Sequence, residues 1–138
     1  MANTKEKTIA LLESTSVTMG TNANSTKQIL YTVPAGKKCI ITNVIIRNPS
    51  ASLAGCNDVD FGVGAACATE SFLNHETGIV DMTTATTDFM NLVAVSDEYS
   101  IIDGDAVNAV DREFGIYIVA GATSAAATAT IDVFGYLF

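Results

Sequence analysis

Along this chain apolar residues fall in short runs, many of them alternating with polar ones, broken by Gly, Pro, Asn and Asp; no long run repeats at helical spacing. The clearest organisation lies in residues 27–50, KQILYTVPAGKKCIITNVIIRNPS. On an extended backbone Ile29, Tyr31 and Val33 point one way and Leu30 and Thr32 the other. In Val33-Pro34-Ala35-Gly36 the proline has its φ preset for the second position of a type I turn and Gly36 takes the favoured fourth, which predicts a hairpin. Beyond it both parities are apolar, with Ile40, Val44 and Ile46 on one face and Cys39, Ile41 and Ile45 on the other. That predicts a central strand covered on both sides, ended by Asn48-Pro49.

The rest of the chain supplies partners. Residues 1–8 read as a flexible polar arm, leaving 9–138 as a single β-sandwich domain. Residues 8–12 and 14–19 are two candidate edge strands, and 20–26 form a loop whose Asn24-Ser25-Thr26 sequon carries no weight without a secretory signal. Residues 58–63 alternate Val59, Phe61 and Val63 with Asp58, Asp60 and Gly62, as a half-exposed strand does. Residues 64–75 fit a short helix capped by Thr69 or an irregular crossover, 78–82 a brief strand, 83–88 a loop and 89–95 a strand. Asp103-Gly104-Asp105, between apolar pairs, predicts a second tight hairpin. After a strand at 115–119, the last one sets Ala129, Ile131, Val133 and Leu137 against Thr130, Asp132, Phe134, Tyr136 and Phe138, so it belongs inside a sheet or against a neighbour. These runs define an all-β, antiparallel β-sandwich of about eight to ten strands, jelly-roll-like, with an immunoglobulin-like sandwich as the alternative.

Length permits one core without covalent staples: 138 residues bury roughly two thirds of their unfolded surface. Charged residues make up only 16% of the chain, against about 25% in ordinary soluble domains, so part of the surface is expected to lie against other copies. The net charge of -8 is uneven: residues 1–55 carry six basic and two acidic groups (+4), and 56–138 one basic and thirteen acidic (-12). With no cluster of Lys and Arg to neutralise phosphates, nucleic acid is excluded as a partner. No run of about eighteen apolar residues suits a bilayer, and MANTKEKT has no signal-peptide core. Cys39, Cys56 and Cys67 are odd in number and widely spaced, which reads as reduced thiols in a protein made in a cytosol.

Candidate chemistry is sparse. His75 is the only histidine, so mechanisms needing two imidazoles are out, and the cysteine spacing does not suit zinc. A pair of Cys67 with His75 is the one nucleophile candidate. The carboxylates Asp97, Glu98, Asp103, Asp105, Asp111 and Glu113 are a candidate cation cluster or a solvated acidic rim, without EF-hand spacing. Tyr31, Tyr117 and Tyr136 are a candidate sugar-stacking platform, but no tryptophan supports it. The reading is of a protein that is not an enzyme, with no catalytic, cofactor-binding or metal-ligating residues assigned and no cofactor.

The stretch VPAGKKCIITNVIIRNPSAS at 33–52, with ATIDVFGYLF at 129–138, resembles a family of small phage and prophage virion proteins. There an apolar strand, a VPAGK turn and an ITNVIIRN-type strand open a β-sandwich. The resemblance implies a structural component of a tailed-phage virion, assembled in the host cytoplasm. A capsid decoration or cement protein that binds the major capsid protein as a symmetric homo-oligomer, a trimer by preference, comes first. A neck, tail or receptor- and glycan-binding protein of the particle is the alternative. No membrane partner and no catalytic residue come with it.

Overall fold

The alternating runs become strands wherever one of their faces can be buried. In a computed structural model, which describes residues 8–76, 78–83, 88–93 and 101–138, these are β1 (Ala10–Thr18), β2 (Lys27–Thr32), β3 (Lys38–Arg47), β4 (Asp58–Val63), β5 (Thr69–Glu76), β6 (Phe89–Val93), β7 (Ile102–Asp103), β8 (Glu113–Ala120) and β9 (Thr128–Leu137). The first sheet has the order β1-β9-β3-β6, with β7 also pairing β3, and the second the order β2-β8-β4-β5; every strand pair is antiparallel. The ribbon of β1 and β2 lies against β9 and β8, and that of β3 and β4 against β6 and β5. This winding defines a jelly roll, with the chain stepping between sheets at nearly every turn.

The core fills the space between the sheets. Val44 and Ile46 on β3 and Ile131 and Val133 on β9 face Phe61 on β4 and Phe114, Ile116 and Ile118 on β8, all essentially inaccessible to solvent. Phe72 of β5 meets Phe114 edge to face, with centroids 5.7 Å apart. At the rim, Gln28 of β2 uses its side-chain amide as a mock strand. Its Oε1 accepts from the N–H of Thr18 and its Nε2 donates to the Thr18 carbonyl, both at 2.8 Å, which closes the edge of β1 onto the second sheet.

Several expectations change. β2 and β3 form as predicted but are not a hairpin: β2 pairs with β8 and β3 with β9, in opposite sheets. The turn between them runs over 34–37, closed by Lys37 N–H on the Pro34 carbonyl at 3.1 Å. Gly36 takes its third position with φ of +74°, which is type II chemistry rather than type I. A bulge between Ile41 and Asn43 switches the faces of β3 midway. Cys39 and Ile41 therefore share the core side with Val44 and Ile46, while Ile40 and Ile45 turn outward, half-buried.

The Asp103-Gly104 turn forms, with Ala106 N–H on the Asp103 carbonyl, but no strand returns from it. Instead the turn docks on the 34–37 turn. Gly104 N–H donates to the Lys37 carbonyl at 2.8 Å, Gly36 N–H to Asp105 Oδ1 at 2.9 Å, and a Cβ on Gly104 would collide with the Pro34 carbonyl. Residues 64–75 give neither helix nor irregular crossover; 69–75 lie in β5, the edge of the second sheet. The brief strand expected at 78–82 is a 3-10 turn, Gly78–Asp81, and the two strands expected before residue 20 are one, β1, with a bulge beside Leu12. β4 is buried rather than half-exposed, because the 3-10 turn Ala109–Arg112 lies beside it and Lys27 reaches across its end. The N-terminal arm lies almost wholly outside the described residues, as do Asp97 and Glu98.

Candidate functional site

The three cysteines are free, buried and unfit for nucleophilic work. Burial pushes the Cys39 thiol up to about 12 and those of Cys56 and Cys67 up to about 11; at Cys67 the nearby Lys27 ammonium pulls the other way without prevailing. Cys67 sits in the turn before β5, at φ of +56°. His75 is on β5, with a side chain outside what the structure describes, so that candidate pair has no described geometry.

The acidic positions that are described each find their own donor. Asp103 Oδ1 accepts from Asp105 N–H at 2.9 Å and Oδ2 lies 3.4 Å from Lys38 Nζ; the backbone bond foremost, with the ammonium, holds this carboxyl below the usual range. Asp105 accepts from Gly36, and Asp111 from the Asn108 amide at 3.0 Å. Among the described residues no three His, Cys, Asp or Glu side chains converge as a metal would require. The tyrosines are divided too. Tyr31 packs on the core, its hydroxyl raised by burial first and then by Cys39 and Glu13. Tyr117 pairs with Lys27 and Asp60 on the second sheet, and Tyr136 pairs with Ile40 on the first.

Two polar constructions were not foreseen. On the outer side of the second sheet the Lys27 stem crosses Gly115, where a Cβ would press on it. Its ammonium, with a side chain only 10% exposed, donates to the carbonyls of Glu113 at 2.8 Å, Gly64 at 2.9 Å and Val110 at 3.3 Å, with the Glu113 carboxylate at 4.0 Å. This cation ties β2 to β8 and to the end of β4. On the outer face of the first sheet, Arg47 Nε donates to Asp132 Oδ2 at 2.7 Å and Nη2 to Oδ1 at 3.2 Å, while Ser14 Oγ donates to Oδ1 at 2.6 Å. Three neighbouring strands thus contribute one side chain each. Arg47, foremost, and Ser14 hold the Asp132 carboxyl below its usual range. A signal was present in the sequence: Asp132 is the one charged residue in the final strand.

Around that ion pair the outer face mixes polar side chains, Ser16, Thr130, Asn43 and Asn91 among them, with apolar ones. In antiparallel sheets directly opposed residues share a face, which places Leu11 beside Phe134, Phe134 and Val93 on either side of Asn43, and Phe89 beside Arg47. Two shallow depressions adjoin the sheets. One of about 250 Å³ is lined by Thr18, Asn22, Thr26 and Gln28, and one of about 300 Å³ by Asp81, Asp88, Phe89 and two methionines. Neither lining brings a thiol or an imidazole to a carboxylate.

The strand order defines the class: a two-sheet antiparallel jelly roll. No known protein-family model matches the chain, and no curated protein is significantly similar to it.

Proposed function

We propose that this chain is a structural protein of a tailed-phage virion, a capsid decoration or cement protein that works by being buried against other subunits. The observation that carries the reading is the set of exposed apolar side chains Leu11, Phe89 and Val93 on the strands of the first sheet, in a chain with only 16% charged residues. Exposed apolar side chains on a charge-poor chain mark interaction surfaces. The resemblance of residues 33–52 and 129–138 to virion proteins supplies the setting, and free buried thiols suit assembly in a cytosol. Many copies held by symmetry let individually weak contacts add. The test is quantitative mass spectrometry of purified particles before and after stripping the capsid surface. A fixed copy number lost with the surface layer supports the reading, and absence from particles refutes it.

The second reading, a glycan- or receptor-binding protein of the tail, draws on the uncharged depression lined by Thr18, Asn22, Ala23, Thr26, Gln28 and Ala126. It predicts retention of the chain on host-surface polysaccharide and abolition of that retention by Asn22→Ala.

A further inference from the structure

β1 is a nine-residue strand at the edge of the first sheet, and it holds neither the proline nor the lysine that commonly blunts an edge. Which of its backbone groups face outward follows from the ladder. Thr128, opposite Thr18, spends its N–H on Ser50 Oγ at 2.9 Å and its carbonyl on Ser50 N–H at 2.8 Å. Ser50 follows β3, on the side of β9 away from β1. In an antiparallel pair, opposed residues turn their groups both toward or both away from one another. Thr18 therefore points its N–H and carbonyl outward, and at a period of two so do Ser16 and Ser14. Three such residues in succession are a template on which another strand can add.

Side chains already occupy most of that template. The half-buried Gln28 amide offers its oxygen to Thr18 N–H and its NH₂ to the Thr18 carbonyl, each at 2.8 Å, the same acceptor and donor that a backbone residue would bring. Glu13 has the parity of the buried Val17, yet it is exposed at the rim, where its Oε1 accepts from Ser14 N–H at 3.3 Å. Its carboxylate thus stands where the carbonyl of an incoming strand would have to come. A bulge between Leu11 and Glu13 breaks the register beyond it. Ser16 is left between two occupied neighbours, too short a stretch to seat a ladder. From these observations we infer that Gln28 and Glu13 guard the β1 edge: they take the place of a neighbouring strand and keep copies of this chain from joining sheet to sheet through main-chain hydrogen bonds. Such a device serves any protein that accumulates to high concentration, so it does not depend on the virion reading above.

Amide hydrogen exchange of the purified full chain, followed residue by residue over a range of concentrations, tests it. In the parent the Ser16 amide is expected to exchange freely at every concentration. Gln28→Thr and Glu13→Thr each remove one guard without adding apolar surface. Each is expected to slow the Ser16 amide by about tenfold or more as concentration rises, as hydrogen bonds to another copy form. Thr18 is expected to slow with it in Gln28→Thr, and Ser14 in Glu13→Thr. Should Gln28→Thr fail to fold, Glu13→Thr, at an exposed position, decides alone. Gly36→Ala, in the 34–37 turn, controls for lost stability: the same slowing in this variant, at a matched urea midpoint, would trace association to partial unfolding and overturn the inference. So would a parent whose Ser16 amide already slows with concentration, or variants in which it never does.

Discussion

Lys27→Met asks how much one nearly buried cation stabilises the sandwich. Methionine retains most of the stem that crosses Gly115 and deletes the ammonium, so the change isolates the polar contacts. Two of these, to the Glu113 and Gly64 carbonyls at 2.8 and 2.9 Å, are partly buried and involve a charged donor, worth about 1.5 kcal/mol each at the lower end of the charged range. The third, to Val110 at 3.3 Å, is exposed and replaceable by water, and the Glu113 carboxylate at 4.0 Å adds less than about 1 kcal/mol. The expected loss is about 3 kcal/mol. With urea m-values of about 1–3 kcal/mol/M, this moves the urea midpoint down by about 1–3 M. Lys38→Met is the control: its pair with Asp103 is about half exposed at both ends and should shift stability by no more than about 0.5 kcal/mol. Equal midpoints for the two variants would refute the claim that burial of the Lys27 head, rather than its charge, sets its worth.

Asp132 makes stability depend on acid. Its folded carboxyl titrates below its unfolded value, so the contribution is fully present above the ordinary carboxylate range and fades as pH falls through the lowered value; Asp132→Asn should flatten the acid limb of a urea-midpoint-against-pH curve, and an unchanged limb would refute the coupling to Arg47 and Ser14. Gly104→Ala should destabilise by about 2–3 kcal/mol, because the backbone carbonyl of Pro34 cannot yield, whereas Gly36→Ala meets open space and costs about 1–2 kcal/mol for its positive φ; thermal melts that reverse this order would show that the two turns are not docked. The three thiols, buried and raised to about 11–12, should resist an aromatic disulfide reagent at pH 8 in the native state and react together in denaturant; rapid native labelling would contradict their burial.

Much of the fold was legible because strand patterning is a local property. The last strand's two faces follow its alternation: Ala129, Ile131 and Val133 are buried, and Thr130, Phe134 and Tyr136 are turned outward. Pairing was less legible, since a turn signal such as Pro-Ala-Gly-Lys or Asp-Gly fixes a change of direction but not which sheet receives the chain. At 34–37 the chain crosses between layers, and at 103–106 the Asp-Gly turn is committed to holding that crossing. The face switch in β3 left only a slight mark, the adjacent polar pair Thr42-Asn43, and apolar residues of both parities on either side of it masked the change of phase. β4 misled through its aspartates, whose alternation reads as solvated until Lys27 and the 109–112 turn are placed beside it. The outer face of the first sheet was half visible: excess apolar residues on β3 and β9 called for cover, but not for the ion pair of Arg47 with Asp132 at its centre.

The position of β9 between β1 and β3 has a consequence for synthesis. Of the strands described β9 comes latest in the chain, so until it is made β1 has no partner in the first sheet, whereas β3 can already pair with β6 and β7. Until then the edges of β1 and β3 that β9 will occupy stand open to mispairing with other strands.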